Sequence, residues 1–165
     1  MKAKMNNRAL WVVGCVLLPL VVGGISSLLT SDAMGNYAMM ERPPLSPPGW
    51  LFPVVWTILY ILMGVASYLL LVRYWESRGE EKRDAKMALI IYLVQLAFNF
   101  CWSIAFFNFK FYWFALVWLL VMWVMIIMLV ARSRSLSMAA MWMLAPYLVW
   151  TTFAAYLNLG TALMN

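Results

Sequence analysis

Five long apolar runs, near residues 9–30, 50–72, 87–107, 111–131 and 138–162, contain no charged side chain. Each is about as long as the roughly 20 residues a helix needs to cross the hydrocarbon of a bilayer. In lipid there is no water for backbone N–H and C=O groups, so such runs must satisfy those groups internally, as helices. The fold class expected is an all-α integral membrane protein, a bundle of five transmembrane helices forming one domain over residues 1–165. Only Asn108, Phe109 and Lys110 separate the third and fourth runs, which predicts a tight turn between antiparallel neighbours.

Composition narrows the function classes. Hydrophobic residues make up 66% of the chain and charged residues 11%, against about 25% charged in an ordinary globular protein. Ten Trp, eight Tyr and nine Phe exceed what lipid contact alone demands, so aromatic surface belongs in the interior or at the interfaces. The net charge of +6 does not point to nucleic acid, because the basic residues sit at the ends of apolar runs and not in a stripe with stacking aromatics. No histidine is present, and Cys15 and Cys101 lie in separate apolar runs. Neither a Cys/His zinc site nor a histidine-ligated haem is expected, and the cysteines read as small buried apolar residues.

Charge placement also predicts orientation. Three basic residues precede the first run, five lie between Arg73 and Lys86, and Arg132 and Arg134 follow the fourth run, against Arg42 and Lys110 on the other side. This asymmetry places the amino terminus in the cytoplasm and the carboxyl terminus outside, in a bacterial cell membrane. The first run lacks a clear cleavage context and is read as a retained helix. The connector WESRGEEKRDAK reads as a solvated, charge-laced loop.

The segment from Ser31 to Gly49 is the longest stretch outside the runs and contains Pro43, Pro44, Pro47 and Pro48. Each proline fixes φ and removes a donor, so the segment resists regular helix and suits a cap over one end of the bundle. Pro53 then falls near the start of the second helix, where a missing N–H costs little. Trp56 and Tyr60 follow at i and i+4 on one face. They suit either an interfacial aromatic belt or the wall of a cavity.

Polar residues inside the crossings are the main candidates for a site. Gln95 and Asn99 share a face with Trp102 and Phe106, and because unpaired amides are costly in hydrocarbon they must face protein, water or ligand. Interhelical hydrogen bonding and ligand contact both satisfy that requirement. On the fifth helix Tyr147, Trp150, Thr151, Ala154 and Asn158 share one broad side, and Pro146 is expected to bend the helix. Ala97, Cys101 and Ala105 form a small-xxx-small face away from the amides, suited to a homodimer or to intramolecular packing.

Conventional chemistry is missing. The sequence carries no Ser-His-Asp or Cys-His pattern, no paired carboxylates and no glycine-rich nucleotide loop. Charge-free crossings argue against an ion-coupled pump, and five helices offer no even inverted repeat. Indole, phenol and amide remain, which together favour binding of a planar or lipid-like molecule.

Three blocks, RPPLSPPGWLFPVVWTILYILMG, QLAFNFCWSIAFF and PYLVWTTFAAYLN, occur in order on the second, third and fifth helices. The chain thereby resembles the tryptophan-rich sensory protein family, also called the translocator protein or peripheral-type benzodiazepine receptor family. The resemblance implies a five-helix, often dimeric bundle that binds porphyrins such as protoporphyrin IX, sterols and related hydrophobic ligands. It places pocket positions on Tyr37, Pro47, Trp56, Asn99, Trp102, Trp150 and Ala154; Tyr60, Gln95, Phe106, Tyr147 and Asn158 join them from the reading of helix faces. No cofactor is required, and a tetrapyrrole of the protoporphyrin or haem type enters as ligand. The resemblance also leaves open tetrapyrrole or sterol transport, and light- and oxygen-dependent porphyrin breakdown involving Trp56 and Trp150. Leu45 stands where the family commonly has Trp, and no basic residue follows Tyr156, so the sterol pattern of animal relatives is absent.

Overall fold

The computed structural model describes residues 7–35 and 41–165. Five helices carry the chain: α1 (Arg8–Gly35), α2 (Leu51–Glu76), α3 (Gly79–Ser103), α4 (Tyr112–Leu136) and α5 (Met138–Met164). Each is long and apolar enough to cross a membrane. A five-residue π-helical turn, Ile104–Asn108, extends α3. The protein is an all-α bundle of five membrane-spanning helices, as the charge-free runs require.

Several helices run beyond the sequence boundaries, α2 to Glu76 and α4 to Leu136 among them, and two extensions change the connections. The charged connector is helical, since α3 begins at Gly79, with Glu80 and Glu81 in its first turn, where carboxylates complement the helix dipole. Only Ser77 and Arg78 are extended between α2 and α3, and Gly79 takes φ +57°, a left-handed conformation that glycine adopts without a Cβ clash. At the other end of the bundle α1 runs on to Gly35, which shortens the cap segment.

Helices α2, α3, α4 and α5 form a closed ring of neighbours, and α1 lies outside it against α2 and α3. The ring encloses a tightly buried core that includes Met63, Leu70, Leu119, Met122, Ile126 and Leu144. Outward residues such as Leu17, Leu28, Val117 and Val149 are exposed, and in a bilayer they face lipid. A helix apolar on all sides has no water-facing stripe to orient it, so polar and small residues decide which face turns inward.

Gly64 is such a residue. A Cβ built there would stand 2.5 Å from Val16 Cα and 2.8 Å from the Cys15 carbonyl oxygen, so the α1 and α2 backbones touch at this point. Indole groups stitch other pairs. Trp118 Nε1 donates to Phe98 O at 2.9 Å while the two rings stack 4.2 Å apart, and Trp123 Nε1 donates to Thr152 Oγ1 at 2.8 Å.

The proline segment is fastened to α5. Tyr156 Oη donates to Pro44 O at 2.8 Å, Asn165 Nδ2 donates to Glu41 O at 3.0 Å, and Pro43 packs so closely on Gly160 that a Cβ there would overlap it. Leu45, at the tip, takes φ +67° and is 82% exposed. The opposite end of the bundle carries the Arg8–Glu76 pair at 3.9 Å and the Arg132–Asp84 pair at 3.1 Å. Both pairs are solvent-exposed and contribute little to stability.

One expectation needs correction. Cys101 is exposed on the outer face, not buried. Ala97 and Cys101 are exposed on α3, and Ala105, within the π-helical turn, is buried. Cys101 and Ala105 border the same apolar concavity, with Ile104 and Phe114 beside them.

Gly64→Ala should lower the melting temperature of the detergent-solubilised protein by several degrees. Overpacking costs about 1–3 kcal/mol, at about 2–4 °C per kcal/mol for a chain of this size. A Cβ at Gly24 meets nothing within 4 Å, so Gly24→Ala should leave the melting temperature nearly unchanged. Circular dichroism melts of the two variants side by side check the contrast.

Candidate ligand-binding site

A small cleft lies between α1, α2 and α3, near the end of the bundle that carries the proline segment. Phe52, Pro53, Trp56 and Tyr60 of α2 line it with Trp102 and Ser103 of α3, Phe107 of the π-helical turn, and Gly23, Ser26, Ser27 and Thr30 of α1. One wall is aromatic and the other is small and hydroxylic. Its volume is about 80 Å³, well below the roughly 300–1,000 Å³ of pockets that enclose drug-sized molecules.

The aromatic wall is held from behind by a chain of buried side chains. Tyr60 Oη donates to Asn99 Oδ1 at 2.9 Å, Asn99 Nδ2 donates to Tyr147 Oη at 3.3 Å, and Tyr147 Oη donates to Gln95 Oε1 at 2.7 Å. Asn99, Gln95 and Tyr147 are fully buried. These bonds join α2, α3 and α5, and they fix how the amides point. Tyr60 has given its proton to Asn99 Oδ1, so Asn99 presents its NH₂ to Tyr147, whose own proton then goes to Gln95. Trp56 stacks on Tyr60 at 5.4 Å and meets Tyr147 edge-on at 6.1 Å.

A second set of bonds positions Trp102. Its indole Nε1 donates to Asn158 Oδ1 at 3.1 Å, and Asn158 Nδ2 donates to Tyr112 O at 2.9 Å. Trp102 also stacks on Phe106 at 5.3 Å, and Phe106 meets Tyr112 edge-on. Asn158 is thus a clamp between α3, α4 and α5, and Phe106 packs behind the indole.

The structure brings Trp56, Tyr60 and Trp102 together as cleft lining, with Gln95, Asn99, Tyr147, Phe106 and Asn158 as their support. Trp150 and Ala154 do not line the cleft. Trp150 meets Phe52 edge-on at 6.0 Å, and its buried Nε1 has no hydrogen-bond partner among the described residues. The indole also borders an apolar lipid-facing groove between α2 and α5, with Pro146, Val149 and Phe153 beside it. Ala154 is buried on the same helix, and Pro47 is buried within the proline segment. Tyr37 lies outside the described residues.

Sequence reasoning missed the α1 wall. The signal was present, because Ser26, Ser27 and Thr30 interrupt an otherwise apolar helix, and polar groups in a crossing turn toward protein or water. Ser26 and Thr30 are buried, and Thr30 Oγ1 donates to Ser26 O at 2.9 Å within its own helix. A Cβ at Gly23 would overlap the Tyr60 ring. Gly23 therefore lets α1 close directly onto the aromatic wall.

The comparisons with known proteins agree with this architecture. Residues 15–164 match the model of the TspO/MBR family. The chain is 34% identical over 162 residues to the tryptophan-rich protein TspO of Chlorobaculum tepidum, covering 98% of this chain and 99% of the relative. A protein of the same name from Archaeoglobus fulgidus is 32% identical over 155 residues, covering 93% and 96%. The translocator protein of Ovis aries is 34% identical over 151 residues, covering 90% and 87%. With the family model matching residues 15–164 and these relatives aligned over 87% or more of their length, this integral membrane protein belongs to the TspO/MBR family.

Proposed function

We propose that the chain is a membrane-embedded binding or sensory protein for porphyrins such as protoporphyrin IX and for related hydrophobic ligands. The observation that carries this reading is the aromatic wall of Phe52, Trp56, Tyr60, Trp102 and Phe107 facing the small side chains of α1. Flat π-faces suit a planar macrocycle. Trp150 adds a buried indole N–H without an acceptor, beside Phe52, where a carboxylate or carbonyl of a ligand would satisfy it.

A tetrapyrrole needs more room than the closed cleft offers, so binding requires α1 to move away from α2 and α3. That helix is the one best placed to do so, since it sits outside the ring and meets the cleft with Gly23 and short hydroxyl side chains. The proline segment, including Pro47, then acts as the cap over the opening. Among the described residues no side chain arranged as a general acid or base accompanies Trp56 and Trp150, and this favours binding over catalysis.

The same reading assigns topology and assembly. The end with Arg8, Asp84 and Arg132 is cytoplasmic, which leaves the proline segment and the carboxyl terminus outside. A homodimer forms through Ala97, Cys101 and Ala105, the last two lining an apolar concavity with Ile104, Phe111, Phe114 and Trp118.

Protoporphyrin IX titrated into the purified protein should quench tryptophan fluorescence saturably. Aromatic stacking of about 1–3 kcal/mol per contact corresponds to about a tenfold or greater weakening in a Trp56→Ala, Trp150→Ala double variant; an unchanged affinity removes these residues from the site. For the assembly, Cys101→Trp should convert a dimer to a monomer by light scattering in detergent. A variant that stays dimeric moves the interface elsewhere.

A further inference from the structure

The two halves of α1 are held by the ring in different ways. Its first half is seated on α2, where Val16 Cα and the Cys15 carbonyl oxygen press on Gly64 with no room for a Cβ. Pro19 follows inside the same helix and is buried. A proline has no N–H to give the carbonyl four residues earlier, so Cys15 O lacks its intrahelical donor. Sharp bends in helices concentrate at proline and at Gly/Ser pairs, and Gly23, Gly24, Ser26 and Ser27 come next.

The second half supplies the cleft wall of Gly23, Ser26, Ser27 and Thr30. Its hydroxyls turn back on their own helix, Thr30 Oγ1 donating to Ser26 O and Ser31 Oγ to Leu28 O, both at 2.9 Å. A tie to the ring comes from Asn108, the last residue of the π-helical turn, whose Nδ2 donates to Leu29 O at 2.9 Å. Its neighbour Phe107 lines the cleft. At about 1.5 Å per residue, Leu29 stands about 15 Å beyond Pro19 and Gly23 about 6 Å. A swing about Pro19 therefore displaces Leu29 more than twice as far as Gly23, and a hydrogen bond, which weakens steeply with distance, breaks early there.

We infer that α1 beyond Pro19 is a hinged gate on the cleft and that Asn108 is its latch. The inference rests on the reading of the cleft as a ligand site, and it adds where the helix bends and what holds it shut. Opening breaks the Asn108–Leu29 bond and carries the small side chains of α1 away from Trp56 and Tyr60, while the Gly64 contact and the ring stay in place. Neither released group is stranded in the core. Asn108 is exposed, and Leu29 O keeps its own helical donor because α1 continues to Gly35.

Pulsed electron paramagnetic resonance between nitroxide labels tests this in the full chain with Cys15→Ala and Cys101→Ala, diluted with unlabelled protein so that only distances within one chain are read. Labels on Leu28→Cys and Val117→Cys report the second half of α1 against α4, and labels on Leu10→Cys and Met128→Cys report the first half; all four positions are exposed. Asn108→Leu should shift the first distance several ångström longer and leave the second unchanged, and adding Pro19→Ala, which restores the N–H at the hinge, should bring the first distance back. Protoporphyrin IX should also quench tryptophan fluorescence severalfold faster in Asn108→Leu than in wild type when the two are mixed rapidly. An unchanged Leu28–Val117 distance in Asn108→Leu removes the latch, and equal shifts in both pairs, or no effect of Pro19→Ala, remove the hinge. Shifted distances with an unchanged quenching rate mean that the movement does not control entry, which overturns the gate. If the wild-type protein is not quenched at all, it is the porphyrin reading that fails, and the label distances alone decide the hinge and latch.

Discussion

The hydrogen-bonded chain Tyr60–Asn99–Tyr147–Gln95 is the interaction on which the rest of this bundle depends. Apolar packing alone does not tell one face of these helices from another, because lipid tails are as apolar as leucine and give no hydrophobic drive for helices to associate. An unpaired amide at membrane depth is what has to be hidden. Hiding Gln95 and Asn99 turns α3 inward, and pairing them with two phenols chooses the facing surfaces of α2 and α5. Individual bonds of this type contribute only about 0.6 kcal/mol on average in membrane proteins, so their larger effect is on which arrangement forms.

The cleft inherits its shape from this constraint. Tyr60 is fixed by Asn99, Trp56 stacks on Tyr60, and Trp102 is fixed by Asn158, so the aromatic wall is rigid and already in place. The α1 wall differs in character, with Thr30 satisfied within its own helix and contacts to α2 made through Gly23 and Gly64. One side of the cleft is therefore preorganised, and the other is held by shape and by one bond from the π-helical turn, Asn108 Nδ2 to Leu29 O at 2.9 Å. A ligand that stacks on the rigid side spends its binding energy on displacing α1, not on ordering aromatic side chains.

Much of this was legible in the chain. The five crossings followed from the charge-free runs, and the need to bury Gln95 and Asn99 followed from the cost of bare amides. Their partners were not legible, because Tyr60 and Tyr147 meet Asn99 only once α2 and α5 take their places around α3. The charged connector looked like a loop by composition, yet beyond the membrane Glu80, Glu81 and their neighbours form a good helix start, and α3 begins there. Cys101 was expected to be a small buried apolar residue, yet it stands exposed on the outer face of α3, because a single cysteine carries no signal of which face it takes. The α1 wall was the avoidable omission, since Ser26 and Thr30 obey the same rule that singled out the amides.

The measurement that tests the central claim most directly is the melting temperature of Asn99→Leu, taken alone and combined with Tyr60→Phe. The account predicts a fall of several degrees for Asn99→Leu, since Tyr60 and Tyr147 both lose a partner, and no further loss when Tyr60→Phe is added. An Asn99→Leu protein as stable as wild type, or a Tyr60→Phe cost that is the same in both backgrounds, would contradict it.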